Sequence, residues 1–110
     1  MAETYKNFGL ELTETSAVAY TCPSGKITIV IGLQAANSDG EYEADINLAW
    51  TDASAGDAET ELLFAIVVPP GSALNCLAGK LVLEAGDSIV ANTSVDDAIA
   101  LTGSVVEMDA

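Results

Sequence analysis

The 110-residue sequence contains no histidine and no arginine, and three lysines stand against seventeen carboxylates. Without histidine, the chain lacks the commonest general base and the commonest metal ligand, and its serines and cysteines lack the imidazole partner that usually activates them. The glycine-rich loop that cradles phosphates is also missing. Nearly every carboxylate falls in a turn or at an outward strand position. The sequence therefore predicts a protein that is not an enzyme and that holds no cofactor or metal.

Positive charge is scarce, because Lys6, Lys26 and Lys80 are the only basic side chains. The net charge of the chain is -14 at pH 7. Proteins bind phosphate backbones and anionic lipids through lysine and arginine. We therefore expect neither nucleic acid nor membrane as a partner. Solubility is the ordinary explanation of such a charge, and an acidic surface that binds a basic partner is the alternative.

Long apolar runs and cysteines are also few. No run approaches the roughly 20 apolar residues of a membrane helix, and the first residues lack the apolar centre of a signal peptide. Cys22 and Cys76 are too few for a disulfide scaffold. We expect free, partly buried thiols in a protein made in a cytoplasm, and we leave a Cys22–Cys76 bridge open.

What the sequence does have is apolar residues at alternate positions, which is typical of half-buried strands. The clearest case predicts one inward face from five residues: Ile27, Ile29, Ile31, Leu33 and Ala35. The next strand places four residues inward: Ala44, Ile46, Leu48 and Trp50. The stretch "TELLFAIVV" is apolar on both faces, which predicts a strand covered on both sides.

Glycine, proline and aspartate separate these strands at short intervals, in "PSG", "NSDG", "PPG" and "AGD". We interpret residues 37–40 as a hairpin turn and residues 79–92 as a second hairpin. About eight antiparallel strands and no helical pattern predict an all-β, single-domain β-sandwich that is jelly-roll-like. The predicted β-sandwich domain comprises residues 16–110. Residues 1–15 are expected to form either an N-terminal arm or an edge strand.

One stretch, "ANSDGEYEAD", was compared with a calcium-binding loop. Asn37, Asp39 and Gly40 match the third, fifth and sixth positions of such a loop. Ala35 and Ile46 occupy the first and twelfth positions, where liganding oxygens are needed. The stretch is therefore predicted to be an ordinary turn.

Three residues near the N-terminus and the single tryptophan are candidate contacts. Tyr5, Phe8 and Leu10 are the tentative partner-binding residues, because an N-terminal arm with apolar anchors can dock on a neighbour. Trp50, the single tryptophan, ends an inward series and is predicted to face the core. The alternative for Trp50 is an anchor in an interface.

Three turn segments together resemble a family of small structural proteins of tailed bacteriophage virions. They are Tyr-Thr-x-Pro-x-Gly-Lys at residues 20–26, Pro-x-Gly-Ser at residues 69–72, and Gly-Lys-Leu-x-Leu-x-x-Gly-Asp at residues 79–87. The resemblance covers residues 17–107. It implies a cement or decoration protein on the capsid exterior, synthesised in the host cytoplasm. The implied partners are the major capsid protein and copies of the chain itself as a homotrimer. A neck or tail component is the alternative, and a glycan-binding module ranks below both.

Overall fold

Nine strands make up most of residues 3–110, the part of the chain that the computed structural model describes. The first five are β1 (Glu3–Glu11), β2 (Ala17–Thr21), β3 (Lys26–Asn37), β4 (Ala44–Asp52) and β5 (Ala58–Val68). The last four are β6 (Ala73–Asn75), β7 (Leu81–Leu83), β8 (Ser88–Thr93) and β9 (Ile99–Asp109). A single 3₁₀ turn, Ala53–Ala55, joins β4 to β5.

The strands form two antiparallel sheets. Sheet A has the order β1-β9-β3-β6, with β7 also paired to β3, and sheet B has the order β2-β8-β4-β5. Each sheet combines early and late strands, and most connections pass from one sheet to the other, which is the jelly-roll arrangement. Because β6 and β7 share one position beside β3, nine strands occupy eight positions. The predicted all-β, jelly-roll sandwich is confirmed.

Both predicted hairpins are wrong. Strand β3 lies in sheet A and β4 in sheet B, so residues 38–43 cross between sheets. The same is true of β7 and β8. Turn residues reverse the direction of the chain, but the core decides which strand lies beside which.

The crossing between β7 and β8 is anchored by Asp87, whose side chain is buried. Its carboxylate oxygens accept hydrogen bonds from the backbone N–H of Ala53, at 2.9 Å, and of Glu84, at 3.0 Å. The backbone of Cys22 donates to the carbonyl of Asp87 and accepts from Gly86. These bonds tie the turn to the end of β2 and to the start of the 3₁₀ turn.

The stretch compared with a calcium loop uses its polar side chains internally. The buried Asn37 donates through its amide nitrogen to the carbonyls of Tyr42 and Val68. Asp39 accepts from the backbone N–H of Glu41 and Tyr42. These bonds hold the backbone of the loop and the end of β5, so the side chains of Asn37 and Asp39 support the crossing between the sheets.

The core lies between the sheets and consists of inward residues from both. Ala44, Ile46 and Leu48 are buried in it, and Trp50 packs against it while partly exposed, which agrees with the predicted core face of β4. Cys22 and Cys76 are both free, as expected, and both are buried, where partial burial was expected.

Strand β3 changes face in its middle. Its pairing with β9 shifts by one residue between Val30 and Gly32, so Ile31 is the extra residue of a β-bulge. Leu33 and Ala35 point inward as predicted, but before the bulge the inward residues are Thr28 and Val30. The predicted inward position of Ile27, Ile29 and Ile31 is therefore wrong, because one extra residue moves the preceding side chains to the other face of the sheet.

Strand β5 also departs from its prediction. It is the edge of sheet B and is not covered on both sides, and Phe64, Ile66 and Val67 are exposed. Two register shifts against β4, together with a positive φ of 51° at Ala65, distort the strand. Bulges of this kind discourage the pairing of a free edge with another strand.

Candidate interaction surface

An apolar row crosses the outer face of sheet A. Tyr5 on β1 lies opposite Val106 on β9, Val106 opposite Ile29 on β3, and Ile29 opposite Val82 on β7. Side chains that lie opposite each other in neighbouring strands touch, so the row is continuous. Together with the adjacent residues Ile27, Ile31 and Met108, we call this surface the sheet A patch.

Three of the seven residues of the sheet A patch are exposed, Ile27, Ile29 and Met108 are partly exposed, and Val106 is buried. Tyr5 is 71% exposed, Val82 57% and Ile31 48%. Ile31 owes its exposure to the bulge, and Val82 and Tyr5 to their places at the two margins of the sheet. Exposed apolar residues that gather on one face of a sheet mark a candidate interaction site.

Charge is nearly absent from this outer face. The cross-strand register places two carboxylates on it from the described strands, Glu3 and Glu11, at opposite ends of β1. The remaining outward positions beyond the patch are small or neutral, and include Asn7, Ser104 and Gln34. Lys80 and Glu84 lie at the rim, on either side of β7. In a chain with a net charge of -14, such a face is distinctive.

The outer face of sheet B has a different chemistry. A groove of about 300 Å³ runs over it, lined by apolar Ala49, Val90 and Phe64. Glu59 and Glu61 line the same groove. We call this surface the sheet B groove. It combines an exposed aromatic ring with carboxylates, whereas the sheet A patch is apolar and almost uncharged.

The three residues predicted to bind a partner fall on two faces. Residues 3–11 form β1, which pairs with β9 along its whole length as the edge of sheet A. Tyr5 points outward into the sheet A patch, while Phe8 and Leu10 pack against the core. Tyr5 and Phe8 therefore do not form one aromatic anchor, because side chains an odd number of positions apart on a strand face opposite ways.

The ring of Phe8 closes one margin of the core. It stacks on Tyr20 of sheet B with ring centres 5.5 Å apart and planes inclined by 20°. It also lies across Gly103, its partner on β9, where an added Cβ would overlap the ring. Phe8 thus links the two sheets. Partner binding by Tyr5, Phe8 and Leu10 stays a prediction.

Sequence reasoning missed the contribution of Ile27, Ile29 and Ile31 to the surface. The sequence carried a weak signal, because Val30 places an apolar residue on the face of β3 opposite the isoleucines. A strand that is apolar on both faces is covered on both faces or exposes one of them. The hairpin pattern of residues 79–92 likewise gave no sign that Val82 belongs to this surface.

A buried polar cluster joins the sheets at the end of the sandwich. The carboxylate of Glu107, 4% exposed, accepts a hydrogen bond from the hydroxyl of Tyr20 at 2.6 Å and pairs with the ammonium of Lys6 at 2.9 Å. The Tyr20 hydroxyl also lies 2.8 Å from the hydroxyl of Thr28. In the described chain, every buried side-chain nitrogen or oxygen has a hydrogen-bond partner.

The electrostatics of this cluster point to a structural role. The hydrogen bond from Tyr20, and then the bond and charge of Lys6, lower the pKa of Glu107. Burial, and then the hydrogen bond to Glu107, raise the pKa of Tyr20. Glu107 therefore stays ionised and Tyr20 stays protonated at neutral pH. The hydrogen bond between them joins sheet B to sheet A.

Within residues 3–110, no three Cys, Asp or Glu side chains lie close enough together to hold a metal ion. Over the same residues, no helix has the length and apolar character needed to cross a bilayer.

Comparison with known proteins finds similarity in structure alone. No protein-family model and no curated protein matches the chain. A chain of Bacillus endospore appendages, described as disulfide-linked pili, superposes with a TM-score of 0.63 and 9% identity, covering 98% of this chain and 87% of that chain. A chain from an acid-stable capsid of a Helicobacter pylori bacteriophage superposes with a TM-score of 0.59 and 10% identity, covering 97% and 87%.

A third match is a chain of the T13 IBDV viral particle, with a TM-score of 0.58 and 7% identity. It covers 96% of this chain but only 30% of the viral chain. At such low identity, these similarities establish a common fold. The fold is one that viral capsid and pilus assemblies contain.

Proposed function

We propose that this protein is a structural component of a tailed-bacteriophage virion, and specifically a cement or decoration protein on the capsid exterior. The turn segments at residues 20–26, 69–72 and 79–87 support the proposal by their resemblance to such proteins. The jelly-roll fold supports it, since chains from a phage capsid and a viral particle superpose on this one.

One observation of the molecule carries the proposal: its two outer faces have different chemistry. The sheet A patch is apolar and nearly uncharged, and the sheet B groove pairs Phe64 with Glu59 and Glu61. A cement protein must hold more than one neighbour at once. Two unlike faces on opposite sides of a sandwich allow one domain to bind two unlike surfaces.

The sheet B groove is the face suited to a capsid subunit. Phe64 is 66% exposed, and an exposed aromatic ring is a favoured anchor in interfaces. Its carboxylate neighbours are complementary to lysine or arginine on the partner, and complementary charge speeds and orients docking. Repetition of the contact over an icosahedral lattice makes a weak single contact adequate, because many contacts act together. A homotrimer at local three-fold positions of the lattice fits this arrangement.

A glycan-binding module receives less support. Sugar rings are bound by neighbouring exposed aromatic rings, but the exposed rings of Tyr5, Tyr42 and Phe64 lie on three different surfaces, the sheet A patch, the loop of residues 38–43 and the sheet B groove. Phe8 and Tyr20 stack on each other.

Quantitative mass spectrometry of purified virions tests the proposal. We expect a copy number comparable with that of the major capsid protein. If the copy number instead matches a single ring, the protein is a neck or tail component and not a cement protein. If the protein is absent from virions, the proposal that it is a virion component is wrong.

Binding to capsids stripped of the protein tests the docking face. We expect Phe64→Ser to reduce occupancy and the matched control Val95→Ser, at an exposed apolar residue outside the groove, to leave it unchanged. If both variants bind equally well, the sheet B groove does not take part in binding the capsid.

A further inference from the structure

We infer that the sheet A patch is the surface through which this chain binds a second copy of itself. The inference deepens the proposed function, on which its biological setting rests, by naming the face used for self-association. Its physical basis is separate, because it depends on the apolar row, its exposure and the distribution of charge.

The apolar residues of the patch come together from separate strands. Tyr5, Val106, Ile29 and Val82 are successive cross-strand partners on four strands, and the two outer members, Tyr5 and Val82, are exposed. Exposed apolar side chains scattered singly need no explanation, but a continuous row across a sheet does. The side chains come from four different strands, so the row is a property of the folded face and not of one apolar segment.

The face around the patch is polar but nearly uncharged. Next to the apolar row lie neutral hydrogen-bonding residues, including Asn7, Ser104 and Gln34. Stable interfaces have an apolar centre that is poor in charge and a polar margin. The outer face of sheet A has both, with Glu3 and Glu11 at its far corners.

The charge of the chain favours a second copy as the occupant of the patch. Each copy of the chain carries a net charge of -14, so two copies repel each other at most orientations. Repulsion is smallest when the contact uses a face that contributes few carboxylates. The sheet A patch is such a face, whereas the sheet B groove brings Glu59 and Glu61 into any contact. A basic partner has nothing to recognise on the sheet A patch, because the patch offers no cluster of negative charge.

Salt dependence separates this contact from a charge-driven one. Added salt screens the repulsion between two acidic chains and leaves an apolar contact intact. Self-association through the sheet A patch must therefore strengthen as ionic strength rises. An association held by opposite charges weakens under the same change.

The experiment is sedimentation velocity of the purified protein alone, over a range of protein concentrations at low and high salt. We expect assembly beyond the monomer that increases with salt. Val82→Glu adds a carboxylate to the patch and should weaken self-association by at least about tenfold, since about 1.4 kcal/mol corresponds to that factor. Tyr5→Glu, at the other margin of the patch, should act in the same way.

The matched control is Val67→Glu, which makes the same change at a valine of similar exposure on sheet B. It should leave self-association unchanged within about twofold, the scatter usual for distant surface changes. Circular dichroism and urea unfolding of every variant establish that each one is folded, which we expect because Val82, Tyr5 and Val67 are all largely exposed.

Three results would overturn the inference. These are a wild-type protein that stays monomeric at high concentration and high salt, a control that weakens association as much as Val82→Glu, and an association that salt weakens. Self-association of a protein that is absent from virions would uphold the inference while rejecting the proposed function. The two can therefore fail separately.

Discussion

Replacement of Gly103 by alanine should destabilise the domain through a single neighbour, Phe8. A Cβ at residue 103 would stand 3.0 Å from Cε1 of the Phe8 ring and closer still to two other ring atoms. Ordinary contact begins at 3.4 Å, so the ring must move. The backbone of Gly103 does not have a positive φ, so alanine itself fits the strand.

The ring has little room to move, because Phe8 stacks on Tyr20 and Tyr20 is held by Glu107. A displaced ring gives up this stack or pushes β1 away from β9. Overpacking of this kind costs about 1–3 kcal/mol. For a domain of this size, 1 kcal/mol lowers the melting temperature by roughly 4–8 °C.

A double-mutant cycle in urea isolates the cause. In a Phe8→Ala background, the ring is gone, and Gly103→Ala should be neutral or stabilise by up to about 1 kcal/mol, because alanine loses less backbone entropy than glycine in a strand. If Gly103→Ala has the same cost in both backgrounds, the ring is not the cause and the argument fails.

Three further predictions concern other residues. The lowered pKa of Glu107 stabilises the folded state above its ordinary value of 4.5, and this stabilisation is lost as the pH falls through the lowered value. The difference in unfolding free energy between wild type and Glu107→Gln should therefore be largest near neutral pH and shrink in acid, with Glu59→Gln as the exposed control. Trp50 should show blue-shifted, partly protected fluorescence in the free protein, and Trp50→Ala should cost about 3 kcal/mol, the low end for a buried aromatic. Deletion of residues 2–12 should unfold the domain, as seen by circular dichroism, because it removes β1 and the buried Leu12.

Each of these has a clear contrary result. A pH-independent difference for Glu107→Gln would mean that its ionisation does not stabilise the fold. Fluorescence from Trp50 that is fully quenchable would place the ring outside the core. A folded, stable deletion variant would return residues 1–12 to the role of an arm.

The sequence predicted which residues form strands better than it predicted how those strands pair. The turns at residues 23–25 and 69–71 do separate β2 from β3 and β5 from β6. The inward series from Ala44 to Leu48 is also right. These features are local, because a turn residue or an alternating pattern acts within a few positions of the chain.

Pairing and bulges depend on parts of the chain that are far apart, and these were missed. Residues 79–92 have the pattern of a hairpin, but β7 pairs with β3 and β8 with β2 and β4. The bulge at Ile31 cannot be read from an unbroken alternation of isoleucines. The candidate surface depends on that bulge, so the sequence predicted Tyr5 as a contact but hid the residues that surround it.

The bulge in β3 also sets residues 26–30 in one of two conceivable registers. A one-residue slip of residues 26–30 would bury Ile27 and Ile29 and expose Thr28 and Val30, and burial of apolar surface alone favours the slipped register. The native register is distinguished by polar groups on the inner face, where Thr28 meets the Tyr20 hydroxyl and Tyr20 reaches Glu107. These hydrogen bonds therefore select the alignment of two strands as well as stabilise it. Loss of the Thr28 or Tyr20 hydroxyl should therefore favour the slipped register of residues 26–30. An interior mutation would then change which side chains of β3 are exposed on the outer face of sheet A.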